Sequence, residues 1–416
     1  MKKLKTVSAS LLLTASLLLS GCTSVQANDL TEGIVKGQAE ERAADSAFIN
    51  ANMDFSLKLF KNVQGKKSGE NVLVSPLSVT AALAMTANGA DGETLAEMEK
   101  LLGGDIPLEQ LNSYLYSYLQ SMTSGEGYKL HIANSVWFRN DPRLTVEKDF
   151  LQKTVDYYDA EVYREAFDDK TLGKINGWVK ANTDSMIPKI IEKIEDDSVM
   201  YLINALAFDS EWEEKYEKDQ IGDGTFTDQK GNVQNVEMMN SHEFLYLEDD
   251  SAIGFLKDYK GGKYSFGALL PNECISLEKY IEGLTSESLL KTVSEPQHCS
   301  VITKIPKFSF EFGLSLNDAL KEMGMPSAFG ENADLSKIGK SSDGNLYIGN
   351  VLHKTFIEVD EKGTKAGAAT VVDIKNESAA VIEDPKTVIL DRPFVFMIID
   401  NETRLPIFLG AVESIE

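Results

Sequence analysis

The most informative part of this sequence is Glu361-Lys-Gly-Thr-Lys-Ala-Gly-Ala-Ala-Thr-Val-Val-Asp-Ile-Lys-Asn-Glu-Ser378. If this stretch is extended, its side chains alternate between two faces. One face then carries small or apolar residues: Thr364, Ala366, Ala368, Thr370, Val372 and Ile374. The other face carries Lys365, Asp373 and Lys375, which can stay in water. The pattern indicates a strand with one buried face. Because no turn signal follows Ser378, an edge strand that continues into a loop is the simplest interpretation.

The rest of the chain has the composition of a globular protein. It has 416 residues, of which 43% are hydrophobic and 25% are charged. Helical patterns come mostly first, including a helix start at Ser75-Pro76, where Ser would accept backbone hydrogen bonds, and a helical stretch at 171–195. Strand patterns come mostly last. With no repeat and no Pro/Gly-rich linker, this order predicts an α+β fold with one large domain over residues 45–416.

Charge and missing motifs argue against several classes of function. The 65 acidic and 41 basic residues give a formal net charge of -24, which repels the phosphate backbone of nucleic acids. After residue 21, no apolar run reaches the ~20 residues of a membrane-spanning helix. The sequence lacks the usual nucleophile, phosphate-binding and dinucleotide-binding motifs, and its four histidines lack zinc-site spacing. We therefore expect no nucleic-acid partner, no cofactor, no metal and no enzymatic activity, although a catalytic triad leaves no fixed sequence pattern.

The amino terminus has the pattern of an export signal. Three lysines precede a short apolar stretch that is typical of a secretory signal rather than of a membrane span. The stretch ends in Leu19-Ser-Gly-Cys22, which is similar to a bacterial lipobox; a plain signal peptide with an incidental cysteine is the alternative. We expect a signal peptide over residues 1–21 and a lipid on Cys22. A flexible polar tether over residues 22–44 would then anchor an exported protein to the membrane or cell surface, or be cut to release it.

Two further cysteines, Cys274 and Cys299, would be the only pair left once Cys22 carries a lipid. Their spacing does not show whether they meet, and two thiols are too few for a disulfide scaffold. We therefore expect both cysteines to be buried as isolated thiols.

An ordered series of short motifs makes residues 45–416 resemble the serpin family. The motifs are Asn71-x-x-x-Ser75-Pro76-x-Ser78, Gly89-Ala90-x-Gly92-x-Thr94, Ala133-Asn134, Ile175-Asn176-x-Trp178-Val179, Asn204-Ala205 with Phe208 and Trp212, Pro306-Lys307-Phe308, Met323-Gly324-Met325, Ala333-Asp334-Leu335-Ser336, His353-Lys354, Glu361-x-Gly363-Thr364 and Arg392-Pro393-Phe394. Each motif alone is weak, but the ordered set is specific. Three residues depart from the usual pattern: Lys365 stands where Glu is usual, Gly367 where Ala is usual, and Ser185 where Gly is usual.

The resemblance implies a serpin fold of three β-sheets with about eight or nine helices and an exposed reactive-centre loop at about residues 361–385. It also implies a monomeric inhibitor of serine proteases that acts as a suicide substrate. In this mechanism the protease attacks the loop and forms an acyl-enzyme. The cut loop then inserts as a new strand of the large sheet, and the two proteins stay joined in a covalent 1:1 complex.

The resemblance assigns roles to individual residues. The loop hinge would comprise Glu361, Gly363, Thr364, Ala366, Gly367, Ala368, Ala369 and Thr370, whose small side chains suit insertion. The sheet-opening cluster would comprise Ser75, Ser78, Asn204 and His353, with Trp212 at the top of the sheet. An ordinary set of buried polar and aromatic core residues is the alternative interpretation of these five.

The usual distance from the hinge glutamate places the attacked bond between Glu377 and Ser378. An acidic residue before this bond favours a protease with a basic specificity pocket. Cleavage after Lys375 would instead favour a trypsin-like protease, and cleavage after Ala379 or Val381 an elastase-like or subtilisin-like one.

Two other classes of function remain open at this point. A non-inhibitory serpin-fold or solute-binding surface lipoprotein would bind its ligand without inserting a loop, and a hydrolase would show turnover. A large gain in thermal stability after loop cleavage would indicate an inhibitor rather than a binder, because the intact inhibitory fold is kinetically trapped.

Overall fold

The computed structural model describes residues 27–122, 125, 127–195, 198–341, 344–364 and 384–415. Within these residues the chain forms nine α-helices: α1 Ser46–Lys66, α2 Pro76–Ala87, α3 Gly92–Gly103, α4 Leu108–Ser121, α5 Lys148–Tyr158, α6 Asp169–Asn182, α7 Leu277–Gly283, α8 Ser286–Ser294 and α9 Asn317–Met323. The strands are β1 Val72–Val74, β2 Tyr128–Arg139, β3 Leu144–Val146, β4 Glu161–Glu165, β5 Met200–Glu211, β6 Ile221–Thr227, β7 Val233–Glu248, β8 Ala252–Asp258, β9 Tyr264–Pro271, β10 Gln297–Pro306, β11 Phe308–Ser315, β12 Gly339–Ser341, β13 Asn350–Val359, β14 Gly363–Thr364, β15 Lys386–Ile389, β16 Phe394–Asp400 and β17 Pro406–Val412.

The strands are organised in three sheets. One sheet has six strands in the order β11, β13, β14, β5, β2, β4. A second has nine, in the order β1, β17, β16, β9, β8, β7, β10, β15, with β6 paired to β7, and the third consists of β12 and β3. The α+β class, the three sheets and the nine described helices confirm the fold predicted from the sequence.

The six-stranded sheet is covered on both faces. The main hydrophobic core joins apolar side chains of both large sheets with those of α1 and α2. Every residue of α2 is buried, and this helix contacts β2, β5 and β17. On the opposite face of β5, Tyr201, Ile203 and Ala205 pack in a smaller cluster with Ile175 and Val179 of α6. A strand added beside β5 would therefore meet packed side chains on both of its faces.

The helix expected over residues 171–195 is shorter than predicted. It ends at Asn182, and Asp184 and Ser185 have φ angles of 48° and 66°. These left-handed conformations interrupt a right-handed helix and favour glycine. Ser185, which departs from the family pattern by replacing a glycine, therefore adopts a backbone conformation that is unfavourable for its side chain.

Part of the segment that was predicted to be a flexible tether, residues 22–44, makes main-chain hydrogen bonds with the body. The main chain around Asp29 runs beside β4, where the Leu30 N–H donates to the Val162 carbonyl at 2.7 Å and the Arg164 N–H donates to the Asn28 carbonyl at 2.9 Å. Farther along, the Gly37 N–H donates to Asp156 of α5 at 2.7 Å. Because main-chain groups make these bonds, the side-chain pattern gave no signal of them.

The prediction that Cys274 and Cys299 are both buried is wrong. Cys274 lies in the turn after β9 and is exposed, because such connections run over the surface. Cys299 is partly exposed at an irregularity of β10, and both thiols are free.

Among the helices of the described ranges, none combines the length and the apolarity needed to cross a bilayer.

Candidate functional site

We call the boundary between β5 and β13 the seam. The two strands pair directly with each other at its lower end and are separated by another strand at its upper end. In its lower part β5 and β13 pair directly and in parallel, from Asn350 opposite Tyr201 to Lys354 opposite Ala205. At its upper end β14 lies between them and is antiparallel to both. The six-stranded sheet thus already contains the beginning of an additional central strand.

The main chain that leads into β14 is held by two aromatic residues beyond the end of β5. Trp212 donates its indole N–H to the Asp360 carbonyl at 2.8 Å and its backbone N–H to the Lys362 carbonyl at 2.9 Å. The backbone N–H of Tyr216 donates to the Glu361 carbonyl at 3.0 Å. Together with Tyr259 and Lys307, described next, these residues form what we call the hinge seat.

Thr364, the last described residue before position 384, points into the core. Its side chain is 2% exposed and shares a hydrogen bond with the hydroxyl of Tyr259. The Tyr259 ring stacks on Trp212 with 4.6 Å between ring centroids. Burial raises the pKa of Tyr259, so its hydroxyl remains protonated and available to Thr364 at physiological pH.

An ion pair fixes the outer side of the hinge seat. The Lys307 ammonium lies 2.9 Å from the Glu361 carboxylate and 3.4 Å from that of Glu237. The hydrogen bond from Lys307 lowers the pKa of Glu361 below its ordinary value. Because both side chains of the closer pair are partly exposed, solvent screening limits the contribution of this pair to stability.

Gly363 is required by close backbone approach. A Cβ atom at this position would lie 2.0 Å from the Ser210 carbonyl oxygen and 2.8 Å from the Glu211 Cα. The Gly363 N–H also donates to the Asp360 carboxylate at 3.1 Å, within a turn that the same carboxylate organises. Any side chain here would push β14 away from β5.

A buried polar cluster lies under the lower part of the seam. Asn204 of β5 accepts a hydrogen bond from the Ser78 hydroxyl at 2.6 Å. Its amide donates to the Ser78 carbonyl at 2.8 Å and to the Asn134 side chain at 2.6 Å. His353 of β13 lies directly opposite Asn204, with 3.2 Å between its Nδ1 and the Asn204 Oδ1. Side-chain contacts thus tie both strands of the seam to α2 and to β2.

His353 is neutral in this arrangement. Its Nε2 accepts the Ser75 backbone N–H at 3.1 Å, so the proton lies on Nδ1 and faces Asn204. Burial lowers the pKa of His353 to about 4. Pro76 begins α2 as predicted, but the expected capping by Ser75 is wrong, because its hydroxyl makes no capping bond and has no partner within the described residues.

The structure brings together some of the predicted site residues and separates others. Ser75, Ser78, Asn204 and His353 form one cluster, whereas Trp212 belongs to the hinge seat at the other end of the seam. Within the predicted hinge, Glu361, Gly363 and Thr364 are described. The predicted residues Cys22, Ala366, Gly367, Ala368, Ala369, Thr370, Glu377 and Ser378 lie outside the described residues.

Sequence reasoning missed four residues of this site. Asn134 had a signal, since it is a polar residue in an otherwise apolar alternation of β2. Lys307 belonged to a family-like motif but received no role. Nothing in the local sequence marked Tyr216 or Tyr259, because their roles arise from contacts with residues more than a hundred positions away.

Comparison with known proteins decides the family. The family model described as "Serpin (serine protease inhibitor)" matches residues 50–415, which is most of the chain. The chain belongs to the serpin family. Among curated serpins, leukocyte elastase inhibitor A of Rattus norvegicus is 32% identical over 382 residues, covering 88% of this chain and 98% of the relative.

Solved serpin structures agree with the fold. Tengpin, a thermophilic serpin, in its native state is 51% identical, has a TM-score of 0.89, and is matched over 94% of this chain and 100% of its own. The same serpin in its latent state gives a lower TM-score of 0.80. Human thyroxine-binding globulin in complex with thyroxine is 25% identical with a TM-score of 0.79, over 88% of this chain and 98% of its own. The present conformation therefore resembles the native more than the latent form.

Proposed function

We propose that this serpin inhibits serine endopeptidases as a suicide substrate. The observation that carries the proposal is the position of β14, a two-residue strand between β5 and β13. The chain that follows Thr364 can lengthen this strand instead of starting a new one. Strand addition would supply main-chain hydrogen bonds to both neighbours along the seam.

The register of β14 gives each loop residue a definite place in the proposed inserted strand. Thr364 lies opposite Ser210 of β5 and Val359 of β13. Continued in this register, Thr370 would lie opposite both Asn204 and His353, which are now opposite each other. Insertion would therefore part the polar cluster and place one small polar side chain between its two central members.

The two faces of the inserted strand would meet different surroundings. Residues in step with Thr364 would point into the main core: Ala366, Ala368, Thr370, Val372 and Ile374. On the other face, Ala369 and Val371 would lie beside Ala205 and Ile203, where the cluster under α6 covers the sheet. The residues at these covered positions are small or apolar, which supports insertion into a packed sheet.

The proposed reaction begins as ordinary acyl transfer. The protease serine Oγ attacks the carbonyl carbon of Glu377, the bond to Ser378 breaks, and the Ser378 amine leaves with a proton from the enzyme's general acid. An ester then joins Glu377 to the protease. Insertion would drag this ester along the seam and disturb the catalytic geometry, where a misplacement of about 1 Å costs roughly 100-fold in rate. Lys375, Ala379 and Val381 remain alternative cleavage positions.

The direct test is covalent complex formation. The chain from residue 23 onward would be mixed with glutamate-specific, trypsin-like, chymotrypsin-like, elastase-like and subtilisin-like proteases, then analysed by SDS gel and intact mass. We expect an SDS-resistant 1:1 adduct with one of them and a released carboxy-terminal peptide that begins at Ser378. Loop cleavage without any adduct across the panel would contradict inhibition.

A second candidate function is ligand binding without loop insertion. It is favoured by the similarity to thyroxine-binding globulin, a serpin whose solved complex contains a small molecule. A non-target protease that cuts the loop distinguishes the two functions. An inhibitor should gain strongly in melting temperature after cleavage, whereas a binder that inserts no loop should keep its original melting temperature.

We also propose that the protein is exported and anchored through a lipid on Cys22. The lipobox-like sequence supports this proposal, and residues 23–26 alone separate Cys22 from the segment that packs on the body. Since an extended chain spans at most about 3.6 Å per residue, the body would lie within about 20 Å of the membrane. Partition into the membrane fraction, lost in Cys22→Ala, tests the anchor. Release by cleavage would leave a shortened amino terminus in the medium.

A further inference from the structure

A buried ion pair lies next to the aromatic residues of the hinge seat. Lys257 of β8 is 3% exposed, and its ammonium lies 2.8 Å from the Oε1 of Glu243 in β7. The Glu243 side chain is 12% exposed. Taking two charges out of water is costly, and such a pair seldom makes a fold more stable than a well-packed apolar pair of similar volume does. Stability alone therefore does not explain this ion pair.

The Lys257 ammonium lies over two aromatic rings of the hinge seat. It is 4.7 Å from the centroid of the Tyr216 ring and 5.5 Å from that of the Trp212 ring. A cation is attracted to the face of an aromatic ring, and the attraction is stronger when both groups are desolvated. The backbone N–H groups of Tyr216 and Trp212 donate to the carbonyls of Glu361 and Lys362, respectively. One buried charge thus contacts both residues that hold the chain before β14.

Hydroxyl groups fix the position of Glu243. Its Oε1 accepts a hydrogen bond from the Ser241 hydroxyl at 2.6 Å. The Ser241 Oγ also lies 2.9 Å from the Thr303 Oγ1 of β10 and 3.2 Å from the Tyr216 hydroxyl. These bonds connect the ion pair to β10 and to the hinge seat in one buried network. Because the carboxylate is held in this way, the ammonium bound to it has a defined place over the two rings.

We propose that Lys257 and Glu243 are positioning residues of the hinge seat: the Lys257 ammonium holds the rings of Trp212 and Tyr216 in the geometry from which β14 can lengthen. This inference rests on the proposed inhibition, because it gives the pair a role in the rate of loop insertion. Insertion competes with hydrolysis of the ester that joins the loop to the protease. A slower start of insertion therefore releases more active protease. Loss of the ammonium should change this outcome as well as the stability of the fold.

Two variants separate positioning from stability. Lys257→Met alone leaves the Glu243 carboxylate buried without its partner, which should lower both the melting temperature and the yield of covalent adduct. The double variant, Lys257→Met with Glu243→Met, removes both charges, and an apolar pair of similar volume should restore the melting temperature. Its yield of adduct should stay low, because no cation contacts the two rings. If the ion pair were merely structural, the double variant would recover both properties.

The first readout is the stoichiometry of inhibition, measured with a protease that forms an adduct with the native chain. We expect it to rise by about tenfold in the double variant, as for the loss of a desolvated cation–π contact. Lys257→Arg keeps a cation over the rings and should stay within about twofold of the native chain. Lys174→Met is the matched control, because it breaks an ion pair of 2.7 Å with Glu165 on the edge strand β4. It should lower the melting temperature without raising the stoichiometry.

Hydrogen exchange of residues 208–216 gives a second readout that needs no protease. Exchange should be faster in the double variant than in the native chain and unchanged in Lys174→Met, because only the double variant loses the contact with Trp212 and Tyr216. Native exchange rates in the folded double variant, or faster exchange with a native stoichiometry of inhibition, would overturn the proposal. A native chain that forms no adduct would instead contradict the proposed inhibition, and the exchange rates would then decide the positioning role alone.

Discussion

The upper end and the lower part of the seam hold β5 and β13 in opposite ways. At the upper end, Gly363 and Thr364 keep the strands apart, and the hinge seat fixes them there mostly through main-chain hydrogen bonds. In the lower part the strands pair directly, and side chains of the polar cluster tie them to α2 and β2. In the proposed mechanism, β14 is the start of the inserted strand, and the polar cluster delays its extension.

The two parts of the seam should therefore control two different properties, which are the entry point of the loop and the opening of the seam. Changes at the upper end should affect where the loop enters the sheet. Changes in the lower part should affect how easily the seam opens. The proposed mechanism depends on both, because insertion needs a start and a barrier.

The largest effect is expected for Thr370→Arg. In the proposed register this side chain would be buried between Asn204 and His353, where an unpaired charge is very costly. Insertion should stop, so a target protease would cleave the loop and leave, and covalent adduct should fall by about 100-fold or more. The measurement is the stoichiometry of inhibition. Lys365→Arg, a conservative change on the other face, is the control, and equal loss in both variants would contradict the register.

Gly363→Ala should destabilise β14 at the upper end of the seam. The added Cβ meets the Ser210 carbonyl oxygen at 2.0 Å, so β14 has to leave its position. We expect a loss of about 2–4 kcal/mol in the free energy of unfolding, within the range of overpacked or strained sites. Urea unfolding provides the measurement. Gly173→Ala in α6 has open space around its Cβ and should instead stabilise by about 0.5–1 kcal/mol.

Acid should lower the free energy of unfolding through His353, which lies in the lower part of the seam. Its pKa is about 4 in the folded protein, whereas the unfolded side chain titrates near 6.5, so the unfolded state binds the extra proton first as pH falls. The His353 contribution is complete above about pH 6.5 and is lost towards pH 4, at about 1.4 kcal/mol per pH unit. Urea unfolding at several pH values gives the free energy of unfolding of the native chain and of His353→Gln, and the difference between the two should follow this slope. A pH-independent difference would contradict the neutral buried state.

A smaller effect is expected for Ser78→Ala. The change removes the donor at 2.6 Å from Asn204 and leaves part of a buried amide less well satisfied. We expect a loss of about 1–3 kcal/mol and faster opening of the seam, seen as faster hydrogen exchange in β5 and β13. Ser56→Ala is the matched control, because that buried hydroxyl bonds only within α1, to the Asn52 carbonyl. Equal exchange rates in the two variants would mean that the cluster does not hold the seam.

The sequence predicted the lower part of the seam better than its upper end. Ser78, Asn204 and His353 lie in motifs whose family-like order is readable without coordinates, and the structure brings them together. Tyr259 was missed because its bond to Thr364 joins residues far apart in the chain. The segment around Asp29 was missed for another reason: its attachment to β4 uses main-chain groups, which leave no trace in the side-chain pattern.

The most direct test of the central claim is a disulfide across the lower part of the seam. Ile203 and Leu352 lie opposite each other, and the Cα spacing of paired strand residues permits a disulfide. The variant Ile203→Cys with Leu352→Cys, made with Cys274→Ser and Cys299→Ser, would be mixed with the target protease before and after reduction. We predict loop cleavage without adduct while the bond is closed and covalent adduct after reduction. The same yield of adduct in both states would contradict insertion between β5 and β13.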